Sequence, residues 1–271
     1  MPSSLRPARV IGAYAAQPDA LDDLAGFYRE VLAIPGVDGL EISWGSPTWE
    51  RDRAAVEAAL IAAAPSARHV VTVVGAEVTL AAADPTAGLA SPDEAGRRRA
   101  LALIEAARVW IRGMAARGVS IVAIDVHSYP TIAPERAAVA GAAFARSLGE
   151  IAAADWGGTE IVVEHCDARG GAHAWRKGLL PLDLEIVAVT EARGAGGAGL
   201  GFSVNWGRSA IEERDAGAPE RHAARLAGLG LLRGVIFSGA TDRDGPFGEA
   251  WSDSHAPFRE QEATSTMDRS R

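Results

Sequence analysis

The sequence predicts an α/β barrel of parallel strands, and three observations carry that reading. Short β-branched runs alternate with Ala-rich segments of helical period, and no long stretch holds strands alone. The run Thr159-Glu160-Ile161-Val162-Val163-Glu164-His165-Cys166-Asp167 has the continuous apolar core of a strand covered on both faces. It ends abruptly in groups that can bind metals or move protons, and parallel barrels collect chemistry at the C-terminal ends of their strands. The 271 residues suit one such barrel, and the 48% apolar content supplies a large core.

Val10–Ala15 is the first expected strand. Gly12-Ala13-Tyr14 lacks the G-x-G-x-x-G spacing of a nucleotide loop, which favours a barrel over a doubly wound sheet. Leu21, Leu24, Tyr28 and Val31 then share a helical face. Gly39–Trp44 is the second strand, Val56, Ala59, Leu60 and Ala63 mark a helix, and His69–Val74 is the third strand. Ser91-Pro92-Asp93-Glu94 opens a long helix with a capping side chain, a proline at the first helical position and early acids. Leu103, Ile104, Ala107, Trp110, Ile111 and Met114 form its apolar stripe, and Gly118 closes it. Ser120–His127 is the fourth strand; Ala140, Ala143, Phe144, Ser147, Leu148 and Ile151 repeat the helical stripe after it. Glu160–Cys166, Gly201–Trp206 and Gly234–Ser238 complete seven strands. The glycine-rich Gly194–Gly201 runs into a strand, not out of one, and reads as a helix end and loop.

No eighth strand is visible. The segment after Phe258 has no apolar periodicity and is expected to fray. The expected organisation is therefore one barrel domain over residues 1–258 and a disordered tail over 259–271. Either seven strands close the barrel, or another segment completes it, or the chain is short relative to its relatives.

Composition narrows the function classes. Twenty-seven Lys and Arg against 35 Asp and Glu give a net charge of −8, with no basic block, so nucleic acid is not an expected partner. Cys166 is the single cysteine, which excludes a structural intrachain disulfide and a cysteine-based zinc cluster. Met1 to Arg9 lacks the apolar core of a signal peptide, and no stretch is long enough to span a bilayer. A cytoplasmic protein with no membrane partner and a small-molecule ligand is the expectation.

Alternation along the strands nominates the site. Glu41, Asp125, His127, Glu164, Cys166, Asn205 and Ser238 are expected on the inward faces near the strand ends, whereas His165 and Asp167 have the opposite parity. Several buried polar groups at successive strand ends need partners, and a shared ligand pocket supplies them. Glu164, Glu41 and His127 are the catalytic candidates. Asn205-Trp206-Gly207-Arg208 offers an amide, an aromatic plate and a cation able to hold a carboxylate or phosphate. Asp253 and His255 alternate across Ser254 in a loop after the seventh strand, so both can reach one ligand. With His165 they complete the expected binding set. Glu164, Asp167 and His255 are the candidate ligands of a divalent metal, with Mn, Mg or Zn in view. Cys166 reads more readily as core than as a nucleophile.

These motifs resemble the xylose isomerase-like TIM barrels, the sugar isomerase and epimerase superfamily. Gly39-Leu40-Glu41-Ile42 is similar to the second strand of that (β/α) fold, Gly118–His127 to the strand ending in a pocket histidine, and Ile161–Glu164 to the strand whose glutamate binds a divalent metal. Asn205–Glu212 and Asp253–Phe258 resemble an uncharacterised bacterial branch, a domain of unknown function. The resemblance spans Val10 to Phe258 and implies a sugar or polyol isomerase or epimerase. It departs where Asn205 replaces the usual aspartate, where Ser238-Gly239 replaces the usual histidine, and where the eighth-strand glutamate is missing. A glycoside hydrolase using Glu41 and Glu164, or a non-catalytic carbohydrate-binding barrel, stays open beside it.

Overall fold

A computed structural model describes residues 7–18, 22–63, 66–168, 173–197 and 199–269. Readings that involve Met1 to Arg6, Leu21, Ala198, Ser270 and Arg271 lie outside the described residues. The elements are β1 (Val10–Ile11), α1 (Leu24–Ala33), β2 (Gly39–Ser43), α2 (Pro47–Ala63), β3 (Arg68–Thr72), α3 (Val74–Ala83), α4 (Glu94–Ala116), β4 (Ser120–Val126), α5 (Ala137–Ala152), β5 (Glu160–His165), α6 (Leu182–Gly194), β6 (Leu200–Asn205), α7 (Trp206–Glu213), α8 (Ala218–Gly228) and β7 (Leu232–Ile236). The seven strands follow chain order in one sheet. Pairs β1–β2, β2–β3, β3–β4, β5–β6 and β6–β7 are parallel. Parallel neighbours require crossovers, and the helices supply them. The α/β class and the seven strands agree with the sequence reading. The first strand is shorter than expected, because Ala13–Ala16 turns into a 3-10 helix.

The chain forms two compact units. The first comprises Met1–Thr79, Ala102–Asp125 and Asp155–Glu160. Its core takes Val56, Ala59 and Leu60 from α2 and the expected stripe Ile104, Ala107, Trp110, Ile111 and Met114 from α4. The rings of Trp49 and Trp110 meet edge to face at 4.9 Å, and Trp110 Nε1 donates to Glu57 at 2.9 Å.

The second unit comprises Leu80–Leu101, Val126–Ala154 and Ile161–Arg271, and it holds β5, β6 and β7. All six residues of β6 are buried, as a strand covered on both faces requires. On α5, Ala140, Ala143, Phe144, Ser147, Leu148 and Ile151 are buried, which is the periodic stripe. Asp93 caps α4 by accepting from the Gly96 amide at 2.7 Å, and Ser91 in turn accepts from the Asp93 amide at 3.1 Å.

The segment after β7 departs from the sequence reading. Among the described residues no eighth strand follows; isolated antiparallel bridges pair Gly239 with Ala256 and Thr241 with Ser265 instead. Nor does the tail fray over its described part. Ser265, Thr266 and Met267 are buried, the Thr266 amide donates to Ala240 O at 2.8 Å, and the Arg259 amide donates to Met267 O at 2.8 Å. An irregular segment held by backbone pairing and one apolar anchor has no periodicity to betray it. No helix among the described residues is long and apolar enough to cross a membrane.

Candidate active site

Glu164 stands near the C-terminal end of β5 and is buried. Its Oε2 meets His127 Nε2 at 2.8 Å, just past the end of β4. Its Oε1 accepts from Asn205 Nδ2 at 2.8 Å, at the end of β6. Cys166 Sγ lies 3.8 Å from the same oxygen. Alternation explains the grouping: Glu164 and Cys166 are two residues apart and share a face. Asn205 is held in turn. Its Oδ1 accepts from the Arg208 amide at 3.1 Å, capping α7, and from Ser238 Oγ at 3.0 Å. With the oxygen so occupied, only the amide nitrogen faces Glu164.

Burial raises the Glu164 pKa, but the His127 charge, the bonds from His127 and Asn205, and the Arg208 charge outweigh it and hold the carboxyl below the usual range. Burial pushes the Cys166 thiol well up. Cys166 packs with Tyr129 and Leu179, a surrounding that suits a protonated thiol.

A second group surrounds Arg208 on α7. Its guanidinium is buried between Asp167, at 3.4 Å, and Asp253, with which it makes a close ion pair. Asp167 is fixed by the backbone amides of Arg176 and Lys177, at 2.5 and 2.8 Å. His255 Nε2 reaches Asp253 at 3.3 Å, so the two loop residues meet each other, and Asp253 meets Arg208. Asp167 and His255 thus belong with Arg208, and the donors that converge on Glu164 are His127 and Cys166.

His165, expected to bind ligand, has both ring nitrogens occupied on the opposite face of β5. Nδ1 meets Glu185 of α6 at 2.8 Å, and Nε2 meets Glu212 of α7 at 2.9 Å. Burial alone lowers its pKa, but the charge of Glu185 and bonds to both carboxylates raise it to about 10. Glu185 also accepts from Ser128 Oγ at 2.6 Å. The sequence reading missed Glu185 and Glu212; Pro181 before the Leu182-Asp183-Leu184-Glu185 run was a helix-start signal for the former. Trp206 is buried rather than presented as a plate, and its ring packs on Phe237 at 5.6 Å. Glu41 lies on β2 of the first unit, where its Oε2 crowds Gly12 so closely that an added Cβ there would stand 2.9 Å away.

A family model described as "Domain of unknown function (DUF4862)" matches residues 10–271. The chain is 34% identical over 257 residues to "Uncharacterized protein STM3670" of Salmonella typhimurium, covering 92% of this chain and 78% of that protein. Among solved structures it is similar to a D-tagatose 3-epimerase-like protein, with 18% identity, 78% of this chain and 71% of that one covered, and a TM-score of 0.52. It is also similar to D-psicose 3-epimerase from Clostridium cellulolyticum H10, with 17% identity, coverage of 85% and 84%, and a TM-score of 0.51. A third similar structure is the apo form of 3-keto-D-glucoside 4-epimerase YcjR from E. coli, with 15% identity, coverage of 80% and 73%, and a TM-score of 0.50. At these identities the likeness establishes the fold, an α/β fold like the sugar isomerase and epimerase (xylose isomerase-like) TIM barrels.

Proposed function

Because this chain belongs to the DUF4862 family, whose description carries no activity, its function has to be read from the site, and we propose an isomerase- or epimerase-type enzyme acting on a sugar or related polyol, with Glu164 at the reacting centre. One observation carries this reading: a buried carboxylate is held between His127 and Asn205 at three strand ends. The structures that share the fold are named for sugar epimerases, whose chemistry calls for proton abstraction beside a carbonyl.

In the resting site the His127 pair keeps Glu164 too acidic to be an effective base. A substrate oxygen that draws His127 away removes that influence. Burial then pushes the carboxyl upward against only the Asn205 bond and the Arg208 charge, toward the range a general base needs. Asn205, fixed by Ser238 and the Arg208 amide, keeps the carboxylate oriented during the exchange.

The donors fit a metal ion of one kind. His127 nitrogen, a Glu164 oxygen and Cys166 sulfur lie within 4.8 Å of one another. A nitrogen, oxygen and sulfur set suits a borderline ion such as Zn²⁺; Mg²⁺ and Mn²⁺ prefer all-oxygen cages. These three residues would hold it, and a bound ion would supply Lewis-acid polarisation of a carbonyl oxygen.

The test is deuterium exchange. Purified protein is incubated in D₂O with ketohexoses and ketopentoses, with and without added Zn²⁺ or Mn²⁺, and incorporation at carbon is read by NMR. The expected result is exchange by the wild type and a loss of at least about 100-fold in Glu164→Gln. No exchange by the wild type under any of these conditions would sink the proposal.

A further inference from the structure

We infer that Arg208 anchors a carboxylate carried by the ligand, and that Asp253 occupies that anchor until the ligand displaces it. This rests on the reading of the Glu164 site as a sugar site and names its substrate class: sugar acids.

The two carboxylates on Arg208 are unequal. Asp167 is fully buried and locked by two backbone amides. Asp253 has a side chain 32% exposed and stands in a loop. The loop is anchored on either side, by the Trp251 amide on Thr241 O at 2.8 Å and the Ala256 amide on Gly239 O at 2.9 Å. Between these anchors Asp253 is tied to Arg208 and His255 through its side chain. Ser254 Oγ is buried without a hydrogen-bond partner among the described residues. Trp251 and His255 both take left-handed backbone, at φ 56° and 49°, a conformation that non-glycine residues hold only against an energetic cost. The loop therefore holds Asp253 at Arg208 in a strained backbone that a competing anion can relieve.

The surroundings of Asp253 are cationic. Arg208, His255 and Lys177 all act on it, opposing the burial that raises its pKa. Lys177 is also among the charges felt at Cys166, and Arg208 among those felt at Glu164. The Arg208 amide is held by the same Asn205 side chain that contacts Glu164, so a ligand reaching Glu164 comes to the residue that carries this buried guanidinium. A guanidinium presents five N–H donors in a planar fork, and among the described residues one donor on each terminal nitrogen has a partner. A ligand carboxylate that replaces Asp253 inherits the same cations with the geometry already set. A buried fork shaped around two carboxylates favours that group over a bulkier phosphate.

Calorimetry at low salt compares D-glucuronate, D-galacturonate and D-gluconate with D-glucose, D-galactose and D-glucose 6-phosphate. The wild type is expected to bind at least one acid about tenfold tighter than its neutral parent. Asp253→Asn keeps the shape, removes the competing charge, and is expected to raise the preference for acids over neutral sugars about tenfold further. Arg208→Lys, with a thermal melt to show that it folds, should lose most of the preference. Equal binding of acids and neutral sugars, or a weaker acid preference in Asp253→Asn, overturns the inference. Preference for the phosphate over every acid overturns the carboxylate assignment. Binding is read without turnover, so the acid preference should persist in Glu164→Gln. Its persistence alongside absent deuterium exchange would fault the proposed reaction and leave this inference standing.

Discussion

Glu164 and His165 are adjacent on β5, yet their side chains leave on opposite faces and answer to different partners. Alternation put the first on the face where His127 and Asn205 meet it. It also separated Cys166 correctly from His165, since residues two apart share a face. What it does not reveal is that His165 is saturated by two glutamates on helices remote in sequence. His69 on β3 shows the same dependence on partners and yields a testable pH effect. Its Nδ1 accepts from the Leu40 amide at 3.2 Å, so the proton sits on Nε2, which is buried without a partner among the described residues. Burial, the leading influence, lowers its pKa from 6.5 to about 4. The neutral form is therefore favoured by folding. The stability it contributes is complete above about pH 6.5 and is lost as pH falls through about 4. Across that window the loss amounts to about 3 kcal/mol at most. In His69→Asn an amide oxygen can accept the same backbone proton without titrating. Melting temperatures followed from pH 7 to pH 4 should fall less steeply in the variant; parallel curves would show that His69 carries no such linkage.

Strand positions were legible element by element because β-branched runs bounded by turn residues announce them. Helices α3, α7 and α8 were not anticipated, and of α6 only the end at Gly194 was. On α6 the buried positions Leu182, Glu185, Ala188, Val189 and Ala192 do recur at helical spacing, but a buried glutamate among them and the exposed Val187 blur the stripe. α7 starts directly at the end of β6, with no loop between, so Asn205-Trp206-Gly207-Arg208, read as a strand end offering an amide, an aromatic plate and a cation, is a helix start. Gly207 makes that junction possible. A Cβ there would stand 2.4 Å from Ser238 O and 3.1 Å from Ser238 Oγ. Gly207→Ala should therefore push the end of β7 away and cost on the order of 1–3 kcal/mol. It should also free Asn205 from Ser238 and loosen the hold on Glu164. Exchange activity should drop further than in Ile104→Val, a core truncation in the first unit of comparable cost. An unchanged melt in Gly207→Ala would show that the contact yields without consequence.

At the scale of the whole molecule, the part hidden from the sequence is everything after β7. Antiparallel bridges, a buried Met267 and backbone bonds to Ala240 and Thr241 bind this irregular stretch to itself. The loop that presents Asp253 leans on the same framework. Ala256 pairs with Gly239, the Thr266 amide donates to Ala240 O, and the Met267 side chain approaches Gly239 so closely that a Cβ there would stand 3.1 Å from Met267 Cε. Periodicity registers only faces that repeat, whereas this segment uses single anchors, so a polar tail could not be told from a packed one. The difference has a measurable consequence. Met267→Ala empties a site that is only 4% exposed and should cost roughly 2–5 kcal/mol. A chain ending after Phe258 loses the same anchor together with the bond from the Thr266 amide to Ala240 O and that from the Asp242 amide to Thr264 O, and should melt lower by at least as much. Limited proteolysis should then cut first within residues 240–256, since that loop has lost the strand-like partner on its inner side. If the shortened chain melts with the full-length protein and resists cleavage there, the tail is dispensable, and the loop that carries Asp253 is held by β7 alone.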